Sequence, residues 1–387
     1  MTHAKDKLIK PGATIGILGG GQLGRMIALA GRAMGYRFIT MDPTEDAPCG
    51  QTADRQIVAR YDDVDAAMQL AAVSDVISYE FENVDAQVAE VLESQAYVPQ
   101  GSRLLRITQN RIREKTAIQE MGIPVAPFRV VASLADLKEA VRELGLPAVM
   151  KTATGGYDGK GQWVLKRDEE LEEAFETLAK AGTELIVEQF VPFELELSVI
   201  AARNPDGELA VFPTVENIHQ DNILHLTIVP ARVSEEVRER AEKIARTIVD
   251  KLDVVGLLAI EMFLTADGQL FVNELAPRPH NSGHYTMEAC VTSQFEQHVR
   301  AVCNLPLGST ELLSPVVMVN ILGEHLQPVL DRVDELPRSA KLHLYGKAES
   351  KEKRKMGHLN VLAPSVDEAL HLIDKLEIWS TKTEVQS

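Results

Sequence analysis

The 387-residue chain is short of cysteine, of positive charge and of long apolar runs. Cys49, Cys290 and Cys303 are too few and too scattered for a disulfide framework or a zinc site, so free, buried thiols are expected. With 40 Lys and Arg against 57 Asp and Glu, the formal charge of −17 argues against a broad nucleic-acid or anionic-membrane surface. Any phosphate ligand must then be held by a local basic cluster. No apolar stretch approaches the ~18–20 residues that span a bilayer. The start, Met1-Thr-His-Ala-Lys-Asp-Lys7, lacks the apolar core of a signal peptide. The expectation is a cytoplasmic protein with neither nucleic acid nor membrane as partner. There is no internal repeat and no low-complexity tract, and the length suits two or three α/β domains.

What is present begins with two glutamates. Asp267-Gly268 sits between apolar-rich runs, the strongest short hairpin signal. A two-residue loop there pairs Ala266 with Gln269, Thr265 with Leu270 and, by the same count, Glu261 with Glu274. Opposite residues in such a ladder have Cβ atoms roughly 4.5–5.5 Å apart, where like charges are unfavourable unless neutralised. Oxygen-only ligands suit Mg²⁺, which also takes oxygens from substrate phosphates. The alternative is an exposed edge hairpin with solvated glutamates. Glu274 leads into Leu-Ala-Pro-Arg-Pro-His-Asn-Ser-Gly-His284, a proline-shaped loop carrying Arg278, His280, Asn281 and His284 as donors.

Two glycine clusters point to phosphate. Gly19-x-Gly21-x-x-Gly24 follows the strand Thr14–Leu18 and opens a helix with Leu23, Ile27, Ala30 and Met34 at helical spacing. With Asp42 near the end of the next strand, this matches the dinucleotide fingerprint, although the helix amino terminus favours any anion. Lys151-Thr-Ala-Thr-Gly-Gly-Tyr-Asp-Gly-Lys-Gly-Gln162 is more distinctive. It is no Walker A loop, because no Gly-Lys-Ser/Thr closes it and a strand follows. Gly155, Gly156, Gly159 and Gly161 make it a lid whose amides can close over a triphosphate, with Lys151 placed to reach the same phosphates. Downstream, backbone groups at Glu188, Gln189, Phe190 and Val191 can read an adenine, and Glu196 can take ribose hydroxyls; these residues also suit a plain strand and loop.

Strands at Phe38–Met41 and Val76–Tyr79 continue the first unit, which alternates with helices and so implies a parallel sheet ending near Pro99–Ser102. A polar helix from Asn110 to Gln119 precedes a smaller α/β unit: strand Phe128–Val131, helix Leu134–Leu144, strands Ala148–Lys151 and Gln162–Leu165, helix Glu169–Lys180 and strand Glu184–Glu188. A larger antiparallel region runs from Glu196 to about Ser314, and Pro315 to Ser387 reads as a compact appendage.

Together, Lys151, the Gly-Gly-Tyr-Asp-Gly-Lys-Gly-Gln loop, Ile186-Val-Glu-Gln, Glu261, Asn273-Glu274 and Arg-Pro-His-Asn-Ser-Gly-His resemble the ATP-grasp superfamily. Within it, the chain resembles the family of 5-(carboxyamino)imidazole ribonucleotide synthases, bicarbonate-dependent enzymes of purine biosynthesis. The likeness runs from Gly16-Ile-Leu-Gly-Gly-Gly-Gln-Leu-Gly-Arg-Met26 to Gly357-His-Leu-Asn360. It implies a mixed α/β and α+β architecture: a Rossmann-like pre-ATP-grasp domain at 1–108, an ATP-grasp domain at 109–314 with a lid subdomain at about 125–190, and a small carboxy-terminal domain at 315–387.

The resemblance implies ATP held by Arg111, Lys151, Gly156, Tyr157, Asp158, Gly159, Lys160, Gly161, Gln162, Glu188 to Val191, Glu196, His219, Asn273 and Glu274. It implies Mg²⁺ or Mn²⁺ on Glu261 and Glu274. In a regular strand Asn273 faces away from Glu274, so its contact needs a bulge or a backbone group. For aminoimidazole ribonucleotide the resemblance points to Gln22, Glu80, Tyr157 and Asp158, with Lys347 and Arg354 for the 5′-phosphate. Lys341 to Lys355 carries six Lys or Arg residues in an otherwise acidic chain, the local cluster such a substrate requires. Arg278 and Asn281 are expected to hold bicarbonate or carboxyphosphate, His280 to move a proton, and Lys151 to assist phosphoryl transfer. A homodimer is also implied. Three rivals remain: an NAD-dependent oxidoreductase, another ATP-grasp ligase such as the formate-dependent glycinamide ribonucleotide transformylase, and a non-enzymatic nucleotide sensor.

Overall fold

The computed structural model describes residues 7–155, 161–179 and 183–379. Four short strands, β1 (Thr14–Leu18), β2 (Arg37–Asp42), β3 (Arg55–Val58) and β4 (Val76–Tyr79), form a parallel sheet in the order β3-β2-β1-β4. β1 lies in the middle, so Ile15, Ile17 and Leu18 are fully buried and the strand reads as a continuous apolar run. The carboxyl ends of β1 and β4 lie side by side, Leu18 opposite Tyr79, which sets the glycine loop after β1 next to Glu80.

The lid sheet has the order β5-β8-β6-β7, from β5 (Phe128–Val131), β6 (Ala148–Thr152), β7 (Gln162–Leu165) and β8 (Leu185–Gln189). Its helix Leu134–Leu144 begins because the Ser133 hydroxyl accepts from the Asp136 N–H, and stops at Gly145, whose φ of +80° suits glycine. The second lid helix is a 3₁₀ turn at Asp168–Glu170 followed by Leu171–Leu178.

The large sheet follows the path β14-β13-β9-β11-β12-β15-β17-β16, with β10 paired to β9. Its strands are β9 (Phe193–Arg203), β10 (Leu209–Val211), β11 (Val215–Gln220), β12 (Ile223–Val229), β13 (Gly256–Thr265), β14 (Leu270–Ala276), β15 (Val316–Leu322), β16 (Ala340–Leu344) and β17 (Lys355–Leu362). The carboxy-terminal stretch continues this sheet through β15, β17 and β16. β15 pairs with β12 from Leu226↔Val319 to Val229↔Val316, satisfying a backbone edge that would otherwise stay open.

All three cysteines are free and buried. No helix among the described residues is long and apolar enough to cross a membrane.

The parallel sheet is pinned to the rest of the chain through a buried imidazole. Ser78 Oγ donates to Gln100 Oε1 at 2.8 Å and so accepts from His298 Nε2 at 2.7 Å, while His298 Nδ1 has no hydrogen-bond partner among the described residues. Burial depresses His298 to about 3. Between that value and the ordinary 6.5 the unfolded chain binds more protons, so this contribution to stability is present above pH 6.5 and is lost as pH falls towards 3. At pH 5 the loss is about 2 kcal/mol. Urea unfolding at pH 7 and pH 5 should show the wild type losing about that much more than His298→Gln; equal losses would contradict the assignment.

Candidate active site

The glycine loop after β1 is already occupied by the protein's own carboxylates. Glu80, at the end of β4, accepts from the N–H groups of Gly21 and of Gly24, the latter at 2.6 Å. Burial pushes Glu80 up to about 7 against the effect of these two amide donors. A Cβ on Gly21 would lie 2.7 Å from Glu80 Oε1 and one on Gly20 would lie 2.5 Å from Asp42 Cβ, so the glycines admit side chains rather than a pyrophosphate. Asp42 is also turned inward, accepting from Gly20 N at 2.8 Å, Thr44 N at 2.7 Å and the Tyr61 hydroxyl. The amides and the acid that a dinucleotide would need are thus engaged, which removes the structural basis of the oxidoreductase reading.

Glu261 and Glu274 face each other as expected, but by a different route. Leu264 pairs with Leu270, Thr265 N donates to Gln269 O at 3.0 Å, and Gly268 takes a φ of +79°: the loop has three residues, Ala266 to Gly268, and the expected Ala266–Gln269 pair does not form. The register then shifts between Glu261 and Met262, where Asn273 is the additional residue on β14. The longer loop and the bulge cancel. Asn273 offers its backbone, since Lys115 Nζ donates to its carbonyl at 3.3 Å.

Glu261 Oε1 lies 3.1 Å from His280 Nε2. Burial would raise Glu261, but the hydrogen bond from His280 and the nearby charges of His280, His219 and Arg278 hold it well below the usual carboxylate range. Glu274 is raised by burial and by Glu261. Its carboxylate makes no hydrogen bond among the described residues. Two converging carboxylates, one without a partner, fit a divalent cation that takes its other ligands from water and phosphate. No cluster of three or more His, Cys, Asp or Glu that could hold a metal ion by itself occurs among the described residues.

A cavity of about 250 Å³ opens beside His280. Gln22, Glu80, Arg278, His280 and Asn281 line it, together with the loop donor His284, Lys355 of the basic stretch, and Glu82, which the sequence analysis did not single out. Glu82 grips Arg278 through Nε and, at 3.0 Å, through Nη2, which fixes the plane of the guanidinium. Glu82 is held down at about 2: burial opposes this, and the charge and hydrogen bonds of Arg278 prevail. The signal for Glu82 was its spacing of two from Glu80 at a strand end. His280 is oriented by Ser282 Oγ, 2.8 Å from its Nδ1. Asn281 and Asn320 exchange amide hydrogen bonds of 3.0 and 2.7 Å. His284 lies under the loop with its pKa driven well below 6.5 by burial and by neighbouring cations.

On the lid side, Lys151 Nζ lies 3.0 Å from Glu188 Oε2, and burial lowers the lysine's pKa. The backbone N–H groups of Gln189 and Phe190 are bonded to Pro127 O and Pro147 O, whereas that of Val191 has no acceptor among the described residues. Glu196 Oε1 is 3.1 Å from His219 Nδ1. His219 is raised in spite of its burial, because Glu196 and Glu261 favour its charged form. Arg111 opens its helix with its N–H on Ala153 O, and its charge reaches Lys151 and Glu274. Thr152 N donates to Gly161 O at 2.9 Å, and Gln162 pairs with Lys151 in the β6–β7 ladder. Gly156, Tyr157, Asp158, Gly159 and Lys160 lie outside the described residues.

Of the basic stretch, Lys355 lines the cavity and Lys347 and Arg354 do not. Lys347 Nζ donates to Lys355 O at 2.7 Å, and its pKa is pushed down to about 8 by burial, Arg354 and Lys355. Arg354 donates to Glu349 O at 2.8 Å.

This arrangement recurs in known proteins. Models of the ribonucleotide synthetase preATP-grasp domain, the ATP-grasp domain and the phosphoribosylaminoimidazole carboxylase C-terminal domain match residues 12–109, 116–295 and 316–372. The N5-carboxyaminoimidazole ribonucleotide synthase of Bacillus subtilis is 54% identical over 362 residues, 94% of either chain. The chain belongs to the N5-carboxyaminoimidazole ribonucleotide synthase family. It is thus an ATP-grasp ligase with a preATP-grasp domain and a family-specific carboxy-terminal domain. A crystal structure of an N5-carboxyaminoimidazole ribonucleotide synthetase as its ADP complex superposes with a TM-score of 0.94 at 56% identity, covering 97% of this chain and 98% of that one. The Aspergillus clavatus synthase in complex with ADP and 5-aminoimidazole ribonucleotide gives 0.88 at 34% identity, covering 95% and 98%.

Proposed function

We propose that the chain carboxylates the exocyclic amine of 5-aminoimidazole ribonucleotide with ATP and bicarbonate, giving 5-(carboxyamino)imidazole ribonucleotide, ADP and phosphate in de novo purine biosynthesis. The observation that carries this reading is the single cavity in which Glu80 and Gln22 meet Arg278, His280 and Asn281, beside the Glu261–Glu274 pair. The Aspergillus relative, holding ADP and the aminoimidazole ribonucleotide together, supports it.

Bicarbonate is a poor electrophile because hydroxide would have to leave. Its oxygen attacks the γ-phosphorus of ATP in line, ADP departs, and carboxyphosphate results. Lys151 balances phosphate charge from its lid strand. Glu261 and Glu274 would hold Mg²⁺ or Mn²⁺, which would supply charge neutralisation for the phosphates. Arg278, with Nε and Nη2 on Glu82 and Nη1 on the Pro279 carbonyl, presents its remaining N–H groups to the carboxyphosphate, and Asn281 offers its amide. Solvent must be excluded meanwhile, which is the task of the glycine loop from Gly155 to Gln162. The amine then attacks the carboxyl carbon, the C–O bond to phosphate breaks, and His280 accepts the amine's proton on Nε2 once that nitrogen has left Glu261. Gln22 and Glu80 hold the aminoimidazole, with Tyr157 and Asp158 from the lid. Lys347, Arg354 and Lys355 serve the 5′-phosphate. Arg111, Glu188 to Val191, Glu196, His219 and Asn273 complete the ATP site. The protein works in the cytoplasm as a homodimer.

ADP formation, measured with ATP, bicarbonate and aminoimidazole ribonucleotide each omitted in turn, should fall to background unless all three are present. Phosphate release that depended on formate and glycinamide ribonucleotide would select the transformylase instead, and ATP binding without substrate-dependent ADP release would leave a sensor.

A further inference from the structure

The helix Arg111–Glu120 carries a lysine at a position the mechanism does not use. Lys115 is 1% exposed, yet its ammonium lies 3.3 Å from Glu188 Oε2 and 3.3 Å from the carbonyl of Asn273. Glu188 Oε2 also receives Lys151 at 3.0 Å, so one carboxylate oxygen serves two buried ammonium groups. The other oxygen, Glu188 Oε1, has no hydrogen-bond partner among the described residues. The two lysines differ in exposure. Lys151 projects from a lid strand with its side chain 15% exposed, whereas the side chain of Lys115 is 2% exposed. The helix that carries Lys115 is tied to both layers: Asn110 Nδ2 donates to Glu184 Oε2 at 2.9 Å on the lid side, and Glu114 Oε2 accepts from Leu275 N at 3.3 Å on the hairpin side.

We infer that Lys115 is a positioning residue that holds the Glu188 carboxylate, so that the Lys151 ammonium is free to move onto the nucleotide phosphates. A buried carboxylate left with a single counter-ion binds it tightly, because separating them would strand a charge in a poorly solvated interior. With Lys115 anchored by the Asn273 carbonyl, Glu188 keeps a partner when Lys151 leaves. Lys151 can then exchange a carboxylate for a phosphate without baring a buried charge. The role acts through Glu188 and requires no contact between Lys115 and ATP.

The inference rests on Lys151 serving the ATP phosphates, as in the proposed function. Mg-ATP titration of the wild type, followed by thermal shift, is therefore the first measurement. No shift would overturn both readings. With a normal wild-type shift, Lys115→Met should raise KM for Mg-ATP at least tenfold and leave KM for aminoimidazole ribonucleotide within twofold, because Lys151 is then trapped on Glu188. Adding Glu188→Gln to Lys115→Met should recover most of the ATP affinity, and Lys115→Arg should keep KM for ATP within threefold of wild type. An unchanged KM for ATP in Lys115→Met, equal losses for both substrates, or no recovery in the double variant would overturn the inference while leaving the proposed function standing. Should Lys115→Met alone not fold, the double variant is compared with Glu188→Gln. ATP affinities within twofold support the inference, and a further tenfold loss overturns it.

Discussion

Replacing Arg278 with alanine should lower carboxylation about 10²–10³-fold, the usual effect of removing one preorganised donor from a developing anion. Affinity for Mg-ATP should change only a few-fold. Arg278 lies with His280 and Asn281 in the cavity that also holds Glu80, whereas Lys151 and Glu196, proposed to serve the nucleotide, belong to β6 and β9. Its guanidinium is held on one edge by Glu82, so in the proposed role it would not have to be ordered during turnover. The alanine variant also leaves Glu82 without its counter-ion in a partly buried site, a destabilisation of up to about 3–5 kcal/mol. Arg278→Ala combined with Glu82→Gln separates the two effects: the melting temperature should return while carboxylation stays lost. Measuring coupled ADP release alongside product formation decides the matter. Equal losses in ATP binding and carboxylation would remove Arg278 from its assigned role.

Glu274→Gln should reduce ADP formation by about 10³-fold and raise the Mg²⁺ concentration needed for half-maximal rate. Losing several kcal/mol of transition-state charge stabilisation corresponds to a change of that order. The same substitution should leave the fold intact or stabilise it. Glu274 sits opposite Glu261 in the β13–β14 ladder, and a neutral isostere removes a like-charge pair at close range. An inactive variant that melts at or above the wild-type temperature is a combination that a purely structural glutamate does not produce. If Glu274→Gln instead unfolds at lower temperature and keeps its metal requirement, the pair is a structural feature of the hairpin and not a cation site.

Local patterns were legible where one element's own residues decide its shape. Apolar runs and caps placed β1, β4, β5, β7 and the helix Leu134–Leu144 at the residues found, because burial of a strand or a side-chain cap is written in neighbouring positions. The Glu261–Glu274 pairing was also reached, but by two offsets that cancel. The backbone chose a three-residue loop with Gly268 at positive φ, and a bulge at Asn273 restored the register. A bulge depends on what the neighbouring helix offers, here Lys115 for the Asn273 carbonyl, and no local pattern announces that.

The order of residues along the chain by itself determined the kinds of groups available: carboxylates on the two strands of one hairpin, a glycine-rich segment with a lysine at its foot, and a proline-bounded loop of donors. Their chemistry is intrinsic to the side chains, so it can be read without coordinates. Tertiary structure alone decided which of them meet. It turned Glu80 into the glycine loop, where its carboxylate takes amides that would otherwise suit a dinucleotide, and it brought Lys355 into the cavity ahead of Lys347 and Arg354. It set Glu82 against Arg278 across 196 positions of chain and gave Lys151 and Lys115 one carboxylate to share. Charge pairing in a buried site depends on distance and solvation, and both are properties of the packed molecule.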